Sequence, residues 1–117
     1  MKMIVAIIRP EKLEAVQHAL NERDVYLMTV TDVRGCGRQR GFTEVYRGTE
    51  FQVRLLPKIK LEIAINDAFV EATVEAIVHA ARVGETGTVG DGKIFVLPMD
   101  DCVRIRTGER GGQAIGP

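Results

Sequence analysis

The stretch LPKIKLEIAI, residues 56–65, alternates sharply between two kinds of side chain. Successive side chains of an extended chain point to opposite sides, so its apolar members share one face. That face consists of Ile59, Leu61, Ile63 and Ile65. The other face carries Lys58, Lys60, Glu62 and Ala64. The stretch therefore predicts a strand that buries one side against a core.

A helix is predicted directly after this strand. Asn66 and Asp67 offer a helix cap, and the helix ends near Gly84. Its apolar stripe, at spacings of three and four, consists of Val70, Val74, Ile77 and Ala81. Beyond a glycine-rich loop, IFVLPM and CVRIR predict a fourth strand and a short fifth. The tail of about residues 107–117 is expected to be flexible.

The first half of the chain has a similar plan. The nearly continuous apolar run MKMIVAIIR predicts a strand that is covered on both faces. Pro10 ends this run and suits the start of a first helix of about residues 11–23. The apolar positions of that helix are Leu13, Val16 and Leu20. From Val25 the pattern changes to period two and predicts a second strand, with Val25, Leu27, Thr29, Thr31 and Val33 on one face.

The order strand, helix, strand, strand, helix, strand predicts an α+β fold of the ferredoxin-like βαββαβ type with an antiparallel sheet. Both helices would cover the same face of that sheet. The opposite face would be bare, although the first and fourth strands are apolar on both sides. We therefore expect neighbouring subunits to bury it.

Composition sets the class of protein. The 117 residues, 45% hydrophobic and 27% charged, predict one domain spanning residues 1–117. Lys plus Arg and Asp plus Glu total 16 each, so net charge gives no attraction to nucleic acid or to an anionic membrane. No segment suits a membrane span or a signal peptide, which predicts a cytoplasmic protein. Cys36 and Cys102 are expected to be ordinary thiols.

Two loops are candidates for function. The segment of about residues 37–55 is long, charged and aperiodic, which favours a functional loop. GTVGDGK, residues 87–93, resembles a P-loop but follows a helix, opens a strand and has Ile94 where magnesium would need a hydroxyl. Its glycines let backbone amides approach an anion and Lys93 adds charge, although an ordinary turn would explain the glycines equally. Arg104 and Arg106 alternate in CVRIR and are expected to point the same way.

Six motifs follow one another along the chain, namely RPEKL, MTVTDVRGCGRQRG, TEVYRG, LPKIKLEI, TGTVGDGKIFV and RIRTGE. In this order they resemble the PII signal-transduction family of nitrogen regulatory proteins. GDGKIFV combined with RIRTGE is the most specific of them, and the resemblance covers nearly the whole chain. It implies a homotrimer in which ATP and ADP compete for clefts between subunits and 2-oxoglutarate binds beside MgATP.

The resemblance also implies which residues bind. Nucleotide contacts would come from Ile7, Met28, Thr29, Gly35, Arg38, Glu62, Ala64, Gly90, Asp91, Gly92, Lys93, Arg104 and Arg106. Contacts to 2-oxoglutarate would come from Gly37, Gln39, Arg40, Gly41 and Lys58. Magnesium would be held mainly by phosphate and 2-oxoglutarate oxygens, with help from Gln39.

The mechanism implied is regulatory binding, without catalytic residues. Ligands would reshape the long loop, the T-loop, and so control its docking on partners. The partner-contact residues would be Tyr46, Arg47, Gly48, Thr49 and Phe51. In the family the arginine that matches Arg47 enters the pore of an ammonium channel, so contact with a membrane would be indirect. A transcription regulator or an enzyme of nitrogen assimilation or carbon fixation stays open as a partner.

This sequence departs from the family pattern at several positions. Phe51 stands where a uridylylated tyrosine can occur and has no hydroxyl, so we expect no nucleotidylylation there. Thr49 matches a phosphorylated serine of some relatives and is expected to be unmodified. The approach to GDGK is about three residues longer than is typical, and Leu27 replaces a common glycine before Met28.

Other functions remain open on the sequence. The chain could be an adenylate-energy sensor with a different second ligand, or a slow ATPase that acts as a timer. A nucleotide-hydrolysing enzyme is disfavoured because His18 and His79 lie on predicted helices and no nucleophile with a base can be identified. An amino-acid-sensing domain of the same fold would need neither Lys93 nor the arginine pair.

Overall fold

The computed structural model describes residues 1–36 and 54–116, and the backbone of residues 45–46 and 49–50. In chain order its elements are β1 Lys2–Ile8, α1 Leu13–Asn21, β2 Thr29–Gly35, β3 Val45–Tyr46, β4 Thr49–Glu50, β5 Leu56–Ile65, α2 Val70–Ala81, β6 Gly92–Pro98 and α3 Gly112–Ile115. The main sheet has the order β2-β5-β1-β6, with every neighbouring pair antiparallel. This confirms the ferredoxin-like α+β prediction.

β5 shows the alternation that its sequence predicts. Its four isoleucine and leucine side chains at alternate positions are at most 5% exposed, namely Ile59, Leu61, Ile63 and Ile65. In the pairing with β1, Ile63 lies opposite Ile4 and Leu61 lies opposite Ala6. The two central strands therefore direct their most buried side chains to the same face of the sheet.

The core lies between that face and the two long helices. Val16 and Leu20 of α1 are completely buried, and Ile77 of α2 is 1% exposed. Val70 and Val74 are partly buried and pack against the same cluster. The apolar stripes predicted for both helices are therefore confirmed as the surfaces that cover the sheet.

The start of β2 was predicted wrongly. The strand begins at Thr29, because Thr29 lies opposite Glu62 and residues 25–28 have no partner on β5. Val25 instead closes the end of α1, where its amide donates to the Leu20 carbonyl at 3.0 Å. Leu27 is 70% exposed and lies before the first residue of β2. The alternating sequence pattern therefore extends further than the strand itself.

The predicted cap of α2 is also wrong. A short 3₁₀ turn, Asp67–Phe69, precedes α2, and neither Asn66 nor Phe69 makes a side-chain cap. The side-chain Nδ2 of Asn66 donates instead to the backbone carbonyls of Gly112 and Gly116, at 3.2 and 2.9 Å. Asn66 therefore fastens α3, a contact that local sequence could not indicate.

The predicted fifth strand is wrong within the part of the chain that the structure describes. Val103 forms only an isolated bridge with Arg110, and the Gly111 amide donates to the Cys102 carbonyl. Residues 102–111 thus form a hairpin that does not join the main sheet. The tail that we expected to be flexible contains α3, whose Ile115 is 7% exposed.

Within the segment of about residues 37–55, the structure describes residues 54–55 and the backbone of one small ladder. Val45 pairs with Glu50 and Tyr46 with Thr49 in an antiparallel arrangement. The prediction of a functional loop here otherwise falls outside the described residues.

Candidate functional site

The glycine turn, residues 88–92, lies at the end of the segment between α2 and β6 and against the end of β1. Gly92 is opposite Ile8 in the ladder and has φ = +112°. A Cβ atom at Gly92 would lie 1.7 Å from the Ile7 carbonyl oxygen. Both the backbone angle and this close approach therefore require glycine here.

The Asp91 side chain organises the turn from within. Its Oδ2 accepts hydrogen bonds from the Thr88 amide at 2.7 Å and from the Val83 amide at 3.2 Å. The Asp91 amide donates to the Thr88 carbonyl at 3.1 Å. One carboxylate thus holds both ends of the loop that precedes the turn.

Arg9 supplies the remaining contacts to this carboxylate. Its Nε donates to Asp91 Oδ1 at 3.1 Å, and its Nη2 donates to the Val89 carbonyl at 3.0 Å. Burial alone would raise the pKa of Asp91, but the amides of Thr88 and Val83 and the Arg9 guanidinium outweigh burial and hold that pKa below its ordinary value. Asp91 is therefore ionised at neutral pH.

Lys58 reaches the same turn from β5. Its Nζ donates to the Gly90 carbonyl at 2.8 Å, and a Cβ atom at Gly35 would touch its Cγ at 3.6 Å. Lys58 was assigned to 2-oxoglutarate and Gly90 to nucleotide. The structure brings these two residues into direct contact.

Two amides of the turn are available to an external acceptor. The amides of Val89 and Gly90 donate no hydrogen bond to any other residue that the structure describes. Gly90 has φ = +102°, which a side chain would disfavour. The exposed Lys93 follows immediately on β6. Free amides beside an ammonium group suit an anion such as phosphate.

The open face, the side of the main sheet away from α1 and α2, carries most of the other predicted residues. The β-ladders place Ile7 between Lys60 and Lys93, and Thr29 opposite Glu62. Several predicted site residues share this face or its end, among them Ile7, Thr29, Gly35, Glu62, Ala64, Lys58, Gly90 and Lys93. The surface is therefore mixed, with charged side chains between apolar ones.

Met28 does not belong to this surface. Its side chain is partly buried against the hydrophobic core on the helix side of the sheet. The structure therefore does not bring the Met28 side chain to the other predicted nucleotide contacts.

The two arginines of the hairpin differ in their surroundings. Arg104 donates to Glu109 at 2.8 Å and to the Gln113 carbonyl at 2.9 Å, whereas Arg106 is exposed. Among residues 1–36 and 54–116, no hydrogen bond joins either arginine to the glycine turn. The structure therefore does not place them at the site.

A pocket of about 280 Å³ lies between α2 and β6, behind the glycine turn. Its wall is largely apolar and includes Ile77, Val78 and Ile94, and Arg82, Asp91 and Lys93 also line it. Sequence reasoning missed this pocket, and it also missed the roles of Arg9 and Val83. Nothing in the order of residues indicates contacts between positions 82 residues apart.

Several predicted site residues lie outside the described part of the chain. They are Gly37, Arg38, Gln39, Arg40, Gly41, Arg47, Gly48 and Phe51, and the side chains of Tyr46 and Thr49. Among the described residues, no group of three or more His, Cys, Asp or Glu could hold a metal ion. In the same residues no helix is long and apolar enough to cross a membrane.

The fold and the turn define a ferredoxin-like α+β protein with a glycine turn at one end of its sheet. The chain belongs to the family described as Nitrogen regulatory protein P-II, whose family model matches residues 1–109. This confirms the family assignment and makes the chain one of a group of nitrogen regulatory proteins.

The sequence of this chain aligns with those of individual relatives over almost the whole length of both. The chain is 56% identical over 115 residues to Nitrogen regulatory protein P-II 2 of Methanothermobacter thermautotrophicus, covering 98% of this chain and 97% of that one. It is 54% identical to Nitrogen regulatory protein P-II of Azospirillum brasilense, covering 98% and 100%. It is 51% identical to Nitrogen regulatory protein GlnK1 of Methanosarcina mazei, covering 98% and 97%. Relatives with these names are regulators, which agrees with a role other than catalysis.

Proposed function

We propose that this chain senses nitrogen, carbon and energy status by binding ATP or ADP at the glycine turn and 2-oxoglutarate beside MgATP. The observation that carries the proposal is the pair of free amides at Val89 and Gly90, flanked by Lys93. Donors fixed in this way suit a polyphosphate because they need little rearrangement on binding.

The chemistry of the turn favours binding over hydrolysis. Ile94 follows Lys93, so the turn lacks the hydroxyl that holds magnesium in a P-loop. Magnesium would instead be held by phosphate and 2-oxoglutarate oxygens, with Gln39 nearby. A slow ATPase activity is the catalytic alternative.

A homotrimer would complete the site. Phe95 and Leu97 on the open face of β6 are 47% and 46% exposed, and exposed apolar side chains on an edge strand favour association. Clefts between subunits would then set nucleotide against the open face of one subunit. Arg104 and Arg106 would approach phosphate only through such an arrangement.

Effector binding would control the T-loop and its partners. In this proposal 2-oxoglutarate pairs with Lys58 and, with the metal, reshapes residues 37–55. An ammonium channel contacted through Arg47 is the partner that the family resemblance suggests. Nitrogen regulation in the names of the relatives supports a partner in nitrogen metabolism.

The test is calorimetric titration of the purified protein with ATP or ADP, and then with 2-oxoglutarate in magnesium and either nucleotide. We expect both nucleotides to bind in competition and 2-oxoglutarate to require MgATP. Lys93→Ala should weaken ATP binding by about 1 to 3 kcal/mol if the Lys93 ammonium group makes a charge-assisted contact with phosphate. Lys12→Ala, in the turn before α1, is the charge-matched control. Absence of nucleotide binding would overturn the proposal.

One observation favours a second candidate, an adenylate sensor with a different second ligand. The Lys58 ammonium group already donates to Gly90, within the nucleotide turn itself. Lys58 could therefore serve nucleotide binding alone. Nucleotide binding without any heat from 2-oxoglutarate would support this candidate, and loss of 2-oxoglutarate binding alone in Lys58→Ala would exclude it.

A further inference from the structure

The glycine turn contains a carboxylate where an anion is proposed to bind. Asp91 lies between Gly90 and Gly92, next to Lys93. An unpaired negative charge here would repel phosphate, since two like charges a few ångströms apart interact strongly in a partly dry site. The structure contains a specific arrangement that offsets this repulsion.

Both carboxylate oxygens of Asp91 are used by the protein itself. Oδ2 accepts from the amides of Thr88 and Val83, and Oδ1 accepts from Arg9. The side chain is only 20% exposed, and that of Arg9 is 19% exposed. The charge of Asp91 is therefore compensated by Arg9 and by two backbone amides.

Arg9 is well placed to hold the turn rigidly. It follows β1 directly, and Pro10 begins the 3₁₀ turn that leads to α1. Its backbone is thus fixed by two regular elements and by proline. From there the planar guanidinium contacts both Asp91 and the Val89 carbonyl, two groups of the same turn.

The same contacts separate the turn from the loop before it. Val83 and Thr88 are joined by one Asp91 oxygen and by the Thr88 Oγ1 bond to the Val83 carbonyl at 3.3 Å. Residues 84–87 therefore form a loop whose two flanking residues, Val83 and Thr88, are held together by hydrogen bonds. A change of length there need not alter the Val89 and Gly90 amides.

We propose that Arg9 and Asp91 are positioning residues that hold the Val89 and Gly90 amides toward the bound phosphates while cancelling each other's charge. This inference rests on the proposed nucleotide site. Asp91 would thus act through the backbone and would not contact the ligand with its carboxylate. Arg9 would offset that carboxylate without itself binding phosphate.

The test is MgATP affinity by calorimetry for Arg9→Gln, Asp91→Asn and the double variant. Arg9→Gln should weaken binding by about tenfold or more, because it releases the Val89 carbonyl and leaves the Asp91 charge uncompensated. Asp91→Asn should weaken binding less, because it also removes a negative charge. The double variant should bind better than Arg9→Gln alone, a recovery that general destabilisation cannot produce.

Two controls and a second readout accompany these variants. Arg23→Gln and Glu22→Gln, at the end of α1, make the same charge changes away from the turn and should bind as the unmodified protein does. Amide proton resonances of Val83 and Thr88 should move upfield in Asp91→Asn, as expected when a carboxylate acceptor is replaced by an amide.

The outcomes are distinguishable. If the unmodified protein binds no nucleotide, the proposed function and this inference fall together. If it binds nucleotide and Arg9→Gln matches Arg23→Gln, this inference alone is overturned. Equal or weaker binding by the double variant than by Arg9→Gln would overturn charge compensation, and recovery would support it.

Discussion

Two arginine–aspartate pairs brace two turns of this protein with the same set of contacts. In the C-terminal hairpin, Asp101 accepts from the amides of Cys102 and Gly111 and from Arg110. Asp91 likewise accepts from two amides and one arginine in the glycine turn. The chemistry is shared, so any difference between the pairs arises from where each one lies.

Their surroundings differ in burial and in reach. The side chains of Arg110 and Asp101 are 69% and 37% exposed, against 19% and 20% for Arg9 and Asp91. The hairpin pair spans nine residues, whereas the other joins β1 to a loop 82 residues later. Exposed local pairs contribute little to stability, so only the glycine-turn pair should affect the whole fold.

The largest difference between the two turns should come from their glycines. Gly92→Ala places a Cβ atom against the Ile7 carbonyl at positive φ and should lower the free energy of unfolding by roughly 3 kcal/mol or more. Gly108→Ala in the hairpin also has positive φ but open space, so it should cost only about 1 to 2 kcal/mol. Denaturant unfolding at one protein concentration measures both. Equal losses would contradict the close approach at Gly92.

The aspartates should differ next. Asp91→Asn weakens two amide contacts and an ion pair in a partly buried site, and should lower the free energy of unfolding by about 1 to 3 kcal/mol. Asp101→Asn should cost clearly less, because solvent replaces its lost contacts. Thermal unfolding of both variants, scanned side by side, gives the ranking. A larger loss for Asp101→Asn would reverse our interpretation of burial.

Acid should destabilise the protein partly through both carboxylates. The amides and Arg9 hold the pKa of Asp91 low against burial, and Arg110 and the Cys102 amide hold the pKa of Asp101 low. A lowered folded pKa gives stability that is complete above the unfolded value of about 3.9 and is lost as pH falls through the folded pKa. Asp91→Asn should therefore flatten the fall in unfolding free energy below about pH 4. An unchanged slope would show that Asp91 is not held ionised.

The smallest effect should come from the exposed arginine. Arg110→Gln should leave the unfolding midpoint nearly unchanged at about 0.15 M salt, where surface charges are screened. Arg9→Gln under the same conditions should lower it. If Arg110→Gln matched Arg9→Gln, the hairpin would belong to the cooperative unit and the comparison would fail.

Sequence predicted the parts of the fold that rest on repeated local pattern. The alternation in β5 and the stripes of α1 and α2 each repeat over two or more turns or pairs, so they identify both element and face. The first residue of β2 could not be found in this way, because Val25 fits the pattern but lies beyond the reach of its partner strand. CVRIR likewise alternates, yet Arg104 and Val103 turn back toward Glu109 and Arg110.

The glycine turn was predictable to the same extent. Gly90, Gly92 and Lys93 stand together in the sequence and predict a glycine turn, which the structure places just before β6 and at its start. The role of Arg9 could not be predicted from the sequence, because its contact with Asp91 exists only when β1 and β6 pair in their observed register. The sequence identified Lys58 as a candidate binding residue. Its hydrogen bond to the Gly90 carbonyl could not be predicted, because it depends on where β5 lies in the sheet.

The position of β1 within the sheet also affects how the chain acquires its structure. β1 lies between β5 and β6, so its backbone N–H and C=O groups have no strand partners until segments about fifty and ninety residues later have been made. Pairings so distant in sequence slow folding, because the intervening chain must be ordered first. During synthesis β1 would leave the ribosome well before either neighbour and stay unpaired meanwhile. The strand that anchors Arg9 and the glycine turn is thus the one most exposed to aggregation while the protein is being made.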